Sequence, residues 1–157
     1  MDVGQRIRQA RQKALKKLAV RDRSEKELRE LLMREGFSES ETEDAVEYAR
    51  SFGYVNDRRY AENYVMSAGR KKSRAAQRSF LLEKGIPAEY TEEALAEFAE
   101  DEGGLIRKLI RKKSGPPHAM EEAELRRVYA YLARRGFSSG DIWRELKNFQ
   151  ETEGYSD

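Results

Sequence analysis

A seven-residue pattern occurs three times in this chain: Leu32-Met33-Arg34-Glu35-Gly36-Phe37-Ser38, Leu81-Leu82-Glu83-Lys84-Gly85-Ile86-Pro87 and Leu132-Ala133-Arg134-Arg135-Gly136-Phe137-Ser138. Each glycine has a leucine four positions before it and a large apolar residue directly after it. A residue suited to starting a helix follows: Ser38, Pro87 (fitted to a first helical turn) or Ser138. Ten positions past the glycines stand Val46, Leu95 and Leu146; thirteen past stand Ala49, Phe98 and Phe149. The glycines are 49 and 51 residues apart. Agreement at so many offsets marks a triplicated unit. Its physics is a helix, a glycine that supplies the left-handed stop, an apolar residue folded back on the leucine, and a second helix.

Helical spacing runs through the rest of the chain. Apolar residues recur at three- and four-residue steps, and prolines occur only at 87, 116 and 117. Ser24 with Glu27, and Ser38 with Glu41, each make a capping box. A further helix precedes each glycine pair. Its apolar stripes are Ile7, Ala10, Ala14 and Leu18; Tyr60, Ala61, Tyr64, Val65 and Ala68; and Leu105, Ile106, Leu109 and Ile110. No segment alternates as a strand would. The expectation is an all-α chain, an elongated and curved array of three tandem three-helix repeats. The repeats would span 1–53, 54–101 and 102–157, the last with a short acidic tail. Hydrophobic residues make up 38% of the chain, below the usual ~45–50%, which suits an extended array better than one large core. A repeat of this size is marginal alone, so neighbours should support one another.

Charge follows the same beat. The formal net charge is only +2. Yet residues 1–34 hold 11 basic and 5 acidic groups, 35–57 hold 1 and 7, 58–88 hold 8 and 2, 89–102 hold 0 and 7, and 103–118 hold 5 and 0. Two basic groups of residues stand out: Arg70, Lys71, Lys72, Arg74 and Arg78, then Arg107, Lys108, Arg111, Lys112 and Lys113. Each has two readings, a solvated helix end with local ion pairs or a contact for phosphate or an acidic partner. Taken together, the alternation favours an interaction surface for a polyanion or acidic partner. The N-terminal helix places Arg6, Lys13, Lys16 and Lys17 away from its apolar stripe. That stripe is mostly alanine, which argues against a membrane-surface helix.

The residues that usually carry catalysis are scarce. Cysteine is absent, which excludes disulfides, thiolate metal sites and a cysteine nucleophile. The single histidine, His118, beside Pro116-Pro117, reads as an exposed loop residue. Gly103-Gly104 reads as a junction between repeats rather than a phosphate loop. The carboxylates crowd onto charged helices, with none isolated in an apolar setting for acid–base work. No apolar run reaches the ~18 residues of a membrane span, and the first residues lack an apolar signal core. The expectation is a non-enzymatic protein of the cytoplasm, with no cofactor, no metal and no membrane partner. Tyr60 and Tyr64, near Arg58 and Arg59, share a face with Ala61 and Val65 and read as packing rather than base stacking. Trp143, beside Ile142, reads as partly buried in the core.

Arg23-Ser24 with Glu27-Leu28, Leu32 and Gly36-Phe37, followed by Gly53-Tyr54-Val55-Asn56-Asp57-Arg58-Arg59-Tyr60-Ala61, resembles the RecX family of bacterial recombinase regulators. Lys84-Gly85-Ile86 and Arg134-Arg135-Gly136-Phe137-Ser138 fall where that family has its later glycine motifs. The likeness covers roughly residues 10–150, and the Gly53–Ala61 segment is its specific part. There are departures: Ser73 where the family often has glycine, Gln77 where it usually has an aliphatic residue, and Phe80 where it often has glutamate. They suggest a middle helix rotated to bring Ala76 and Phe80 inward.

The resemblance implies a crescent of three-helix repeats that binds in the groove of the RecA–DNA filament; a monomer is the default expectation, apart from the resemblance. It further implies restraint of the filament's ATPase, coprotease and strand-exchange activities, without enzymatic chemistry or a cofactor. Homologous recombination, DNA repair and the SOS response are the processes concerned, and single- or double-stranded DNA is a further partner. The Gly53–Ala61 segment reads as structural, with Gly53 ending one helix and Asn56 or Asp57 capping the next. Two alternatives stay open on the residues alone: a stand-alone DNA-binding helical-repeat protein, and a helical scaffold for another protein.

Overall fold

A computed structural model describes residues 2–152; the expected acidic tail past 152 lies outside them. Among the described residues there are nine helices and no strand: α1 (Val3–Val20), α2 (Glu25–Arg34), α3 (Glu39–Ser51), α4 (Asp57–Met66), α5 (Arg74–Glu83), α6 (Ala88–Phe98), α7 (Glu102–Ser114), α8 (Glu122–Arg134) and α9 (Ser139–Glu151). The expected all-α class and tandem three-helix repetition are both present.

The repeat is visible at atomic detail. Gly36, Gly85 and Gly136 have φ of +93°, +77° and +89°, the region that favours glycine. The next amide reaches back to the leucine carbonyl in every case: Phe37 to Leu32 at 3.3 Å, Ile86 to Leu81 at 3.0 Å and Phe137 to Leu132 at 3.4 Å. These bonds satisfy carbonyls that a helix end leaves open. Leu32, Leu81 and Leu132 are fully buried, and Phe37, Ile86 and Phe137 close over them. Helix starts are equally local. Ser24 and Glu27 form their reciprocal box, as do Ser38 and Glu41, and Ser138 accepts from the Asp141 amide at 3.2 Å.

The backbone divides into two compact units, Met1–Tyr64 with Phe80–Glu97, and Val65–Ser79 with Phe98–Asp157. In the first, α1, α2 and α3 pack on one another around Ala10, Ala14, Leu28, Leu32, Val46 and Val55. The alanines on α1 let the helices approach closely. Tyr64 stacks on Phe80 with ring centroids 4.2 Å apart. In the second unit, α7, α8 and α9 enclose Leu105, Ile106, Leu109, Ile110, Leu132, Ile142 and Leu146. The expected α7 stripe is wholly buried. The expected α4 stripe is shorter: the helix ends at Met66, so Ala68 lies beyond it in a turn and is exposed.

Asn56 caps α4 by accepting from the Arg59 amide at 3.0 Å. Asp57 works in the other direction. Its carboxylate accepts the Glu25 amide at 2.9 Å, closing the start of α2 with a residue 32 positions away. Burial pushes the Asp57 carboxyl pKa up, against the lowering from that amide. The folded state therefore holds the proton more tightly than the unfolded chain does. This group's contribution to stability rises as pH falls through its folded-state pKa. Asp57→Asn keeps the acceptor and removes the disfavoured charge. It should be at least as stable as the parent at neutral pH, with the advantage shrinking as the solution is acidified. Asp57→Ala should cost about 1 kcal/mol. Thermal melts over a pH series check both, and a lower melting point for the Asn variant at neutral pH would contradict the account.

Candidate functional site

The turn between α4 and α5 carries the first basic group of residues and is held by its neighbours. The Arg70 amide donates to the Ser67 carbonyl at 3.1 Å, and the Lys72 amide to Gly69 at 2.9 Å. The Gln77 side-chain amide donates to the carbonyls of Gly69 and Lys72, pinning the turn from within. The Ser73 amide donates to the Arg135 carbonyl at 3.0 Å, and its hydroxyl accepts from Ala76. The buried face of α5 is thus Gln77 with Leu81, entered at Ser73, while Ala76 and Phe80 are half-buried. The rotation expected from Ala76 and Phe80 is not needed, because Gln77 fills the interior position and finds backbone partners there.

The second basic group of residues occupies α7 in the same unit. Lys112 and Lys113 lie in its last turn, where cations oppose the helix dipole favourably. The Lys71 ammonium is held below its ordinary pKa, first by the like charge of the neighbouring Lys112 ammonium. Slight desolvation and the charges of Arg135 and Arg70 add to this. The Arg135 guanidinium lies 3.7 Å from the Tyr131 ring centroid, and the Lys113 ammonium lies 4.5 Å from it. Among the described residues, Lys71, Lys112, Lys113 and Arg135 have no carboxylate within ion-pair distance. Arg135, at the end of α8, was not singled out in the sequence. It belongs to the glycine motif and looked like part of a helix stop.

The remaining expected cations are placed differently. Arg70 and Lys108 share Glu100, at 3.2 Å and 3.4 Å. Arg107 reaches both oxygens of Glu145, at 3.0 Å and 3.1 Å, and Glu145 is only 2% exposed. The Arg74 amide donates to Glu102. Arg74 and Arg78 line a shallow groove of mixed charge with Asp101, Glu102 and Asp141. Arg111 is exposed, as is Lys72. The structure therefore gathers Lys71, Lys112, Lys113 and Arg135, and uses Arg107 to neutralise a buried acid.

Elsewhere the solvated-face reading describes the charges well. Arg6 pairs with Glu41, Arg11 with Asp44, Lys17 with Glu35, Arg29 with Glu43 and Arg58 with Glu93. Tyr60 and Tyr64 are buried, as packing required. Trp143 stacks on Tyr129 at 5.0 Å and stays 48% exposed, outside the core cluster. His118 is more tied than a free loop residue. Its ring nitrogens lie 2.8 Å from the Pro116 carbonyl and 2.8 Å from the Glu124 carboxylate. Among the described residues no histidine–carboxylate group could hold a metal, and no helix is long and apolar enough to cross a membrane.

Repeated three-helix units define an all-α helical-repeat protein, with a cationic cluster on the unit that holds α7, α8 and α9. Models of the first, second and third RecX three-helix domains match residues 10–48, 56–95 and 100–146. The chain belongs to the RecX family. It is 34% identical over 147 residues to the regulatory protein RecX of Amycolatopsis mediterranei, covering 91% of this chain and 84% of that protein. It is 31% identical over 150 residues to the regulatory protein RecX of Escherichia coli (strain SE11), covering 88% and 90%. The crystal structure of RecX from Lactobacillus salivarius matches in fold with a TM-score of 0.70 at 22% identity, over 94% of this chain and 98% of that one.

Proposed function

We propose that this protein binds the RecA–DNA filament in its groove and inhibits the recombinase ATPase, coprotease and strand-exchange activities. It would act in the cytoplasm as a monomer, without enzymatic chemistry of its own, restraining recombination, DNA repair and the SOS response. The observation that carries the reading is the meeting of Lys71, Lys112 and Arg135 in a member of a regulatory family, with no carboxylate paired to them among the described residues. Three tandem repeats, bounded near 53/54 and 101/102, would add weak contacts on the filament into useful affinity. The cations of 70–78 and 107–113 would face that partner, with Arg107 supporting the surface through Glu145.

The test is recombinase ATPase on single-stranded DNA with this protein titrated in. Turnover should fall with added protein, and filaments should shorten in electron micrographs. Unchanged turnover and unchanged filament length would remove the reading. A stand-alone DNA-binding role would instead give equal co-sedimentation with naked and recombinase-coated DNA, and a scaffold for another protein would give neither.

A further inference from the structure

We infer that Lys71 is a nucleophilic lysine that takes the acyl group of a small acyl phosphate, with Lys112 and Arg135 drawing the donor to it. The inference goes beyond the proposed function and does not depend on it, because it concerns covalent chemistry at one side chain. Three segments far apart in sequence build the site: the turn 67–73, the last turn of α7 and the end of α8. The Gln77 side chain pins the turn at the Gly69 and Lys72 carbonyls, and the Ser73 amide ties it to the Arg135 carbonyl at 3.0 Å. Arg135 and Lys113 both rest on Tyr131, which steadies their positions. Lys71 and Lys112 are exposed, so a small donor reaches them from solvent.

An ordinary lysine is a weak nucleophile near neutral pH because almost all of it is ammonium. Lys71 differs in its surroundings. Lys112, Arg135 and Arg70 all act on it with positive charge, and its proton is held less tightly for that reason. Among the described residues no carboxylate lies within ion-pair distance of it, and Glu100 is engaged by Arg70 and Lys108, at 3.2 Å and 3.4 Å. Of the two neighbouring lysines, Lys112 keeps its proton, since it lies in the last turn of α7, where the helix carbonyls favour a cation. Lys71 sits on a turn outside any helix and lacks that support. A free amine with cations beside it suits an anionic acyl donor. The Arg135 guanidinium can meet two phosphate oxygens at once, and Lys112 supplies a second positive charge. The Lys71 amine, its extra proton already lost to water, forms a bond to the acyl carbon. The bond from that carbon to the phosphate oxygen breaks. Its electron pair leaves with the phosphate, which takes the proton the amine sheds and departs as hydrogen phosphate. The product is an uncharged amide, which ends the repulsion with Lys112.

The test incubates the full chain with acetyl phosphate over a pH series and follows acetylation of each lysine by peptide mass spectrometry. Lys147 is the reference, because its side chain is 74% exposed and the Glu151 carboxylate lies 4.0 Å from its ammonium. Near neutral pH, Lys71 should acetylate about fivefold or more faster than Lys147, and faster than Lys112. The ratio to Lys147 should shrink as pH rises, because the reference amine loses its proton there too. Lys112→Gln and Arg135→Gln, each first shown to melt like the parent, should slow Lys71 about twofold or more and leave Lys147 unchanged. The neutral donor 4-nitrophenyl acetate should show a smaller preference for Lys71. Equal rates at Lys71 and Lys147 near neutral pH would overturn the inference, as would a Lys71 rate indifferent to both substitutions. An equal preference with the neutral ester would overturn the assignment of an anionic donor.

Discussion

Gly136→Ala should destabilise the protein by about 2–4 kcal/mol, while Gly36→Ala should cost about 1–2. Both positions have positive φ, so both variants strain the backbone. They differ in what a new methyl group would meet. At Gly36 there is nothing within 4 Å. At Gly136 the added carbon would fall 2.7 Å from the Ser73 hydroxyl oxygen and 2.8 Å from the Ala76 Cβ. Ala76 sits on a helix and cannot swing aside as a long side chain would. Ser73 is held by its bonds to Arg135 and Ala76. Melting temperatures should separate the two variants by several degrees. Equal losses would show that strain alone sets the cost and that the α5 start yields readily. Gly85 lies between the cases, since its close neighbour is the Lys26 side chain, which has freedom to move.

Arg107→Ala should cost about 1–3 kcal/mol, with most of the loss recovered by adding Glu145→Gln. Removing one member of a buried pair leaves the other charge without compensation, and for fully buried pairs this costs about 3–5 kcal/mol. Here the arginine side chain is 58% exposed, so water moderates the penalty. Asp101 lies 3.9 Å from the same guanidinium and contributes little at that distance. Lys112→Ala should stay within about 0.5 kcal/mol of the parent, because it has no carboxylate to leave behind. Thermal melts of the single and double variants decide the matter. If Arg107→Ala melts like the parent, the Glu145 charge is tolerated without its partner, and Arg107 returns to the pool of contact residues.

These two cases mark the boundary of what a linear reading could recover. The glycine stops, the Ser24 and Ser38 boxes and the Leu105–Ile110 stripe depend on neighbours a few positions away, and pattern alone locates them. Gln77 could not be placed so. It reads as polar surface, and its partners are backbone carbonyls, which every residue carries. Glu145 looked like another charge on a charged helix until Arg107, 38 positions away, was brought to it. Arg135 belonged to a motif already explained as a stop, which hid its second place in the cationic cluster. Periodicity gave the helices, then, while the site depended on which helix ends meet.

Trp143 has a practical consequence. It is the only tryptophan in the chain, and it rests half-exposed on Tyr129 beside the core of α7, α8 and α9. Selective excitation of its indole therefore reports on that bundle alone, with Tyr129 as a nearby quenching or donor ring. Loss of the stack would change emission colour and intensity without any added dye, giving this protein an intrinsic optical gauge of its C-terminal helices.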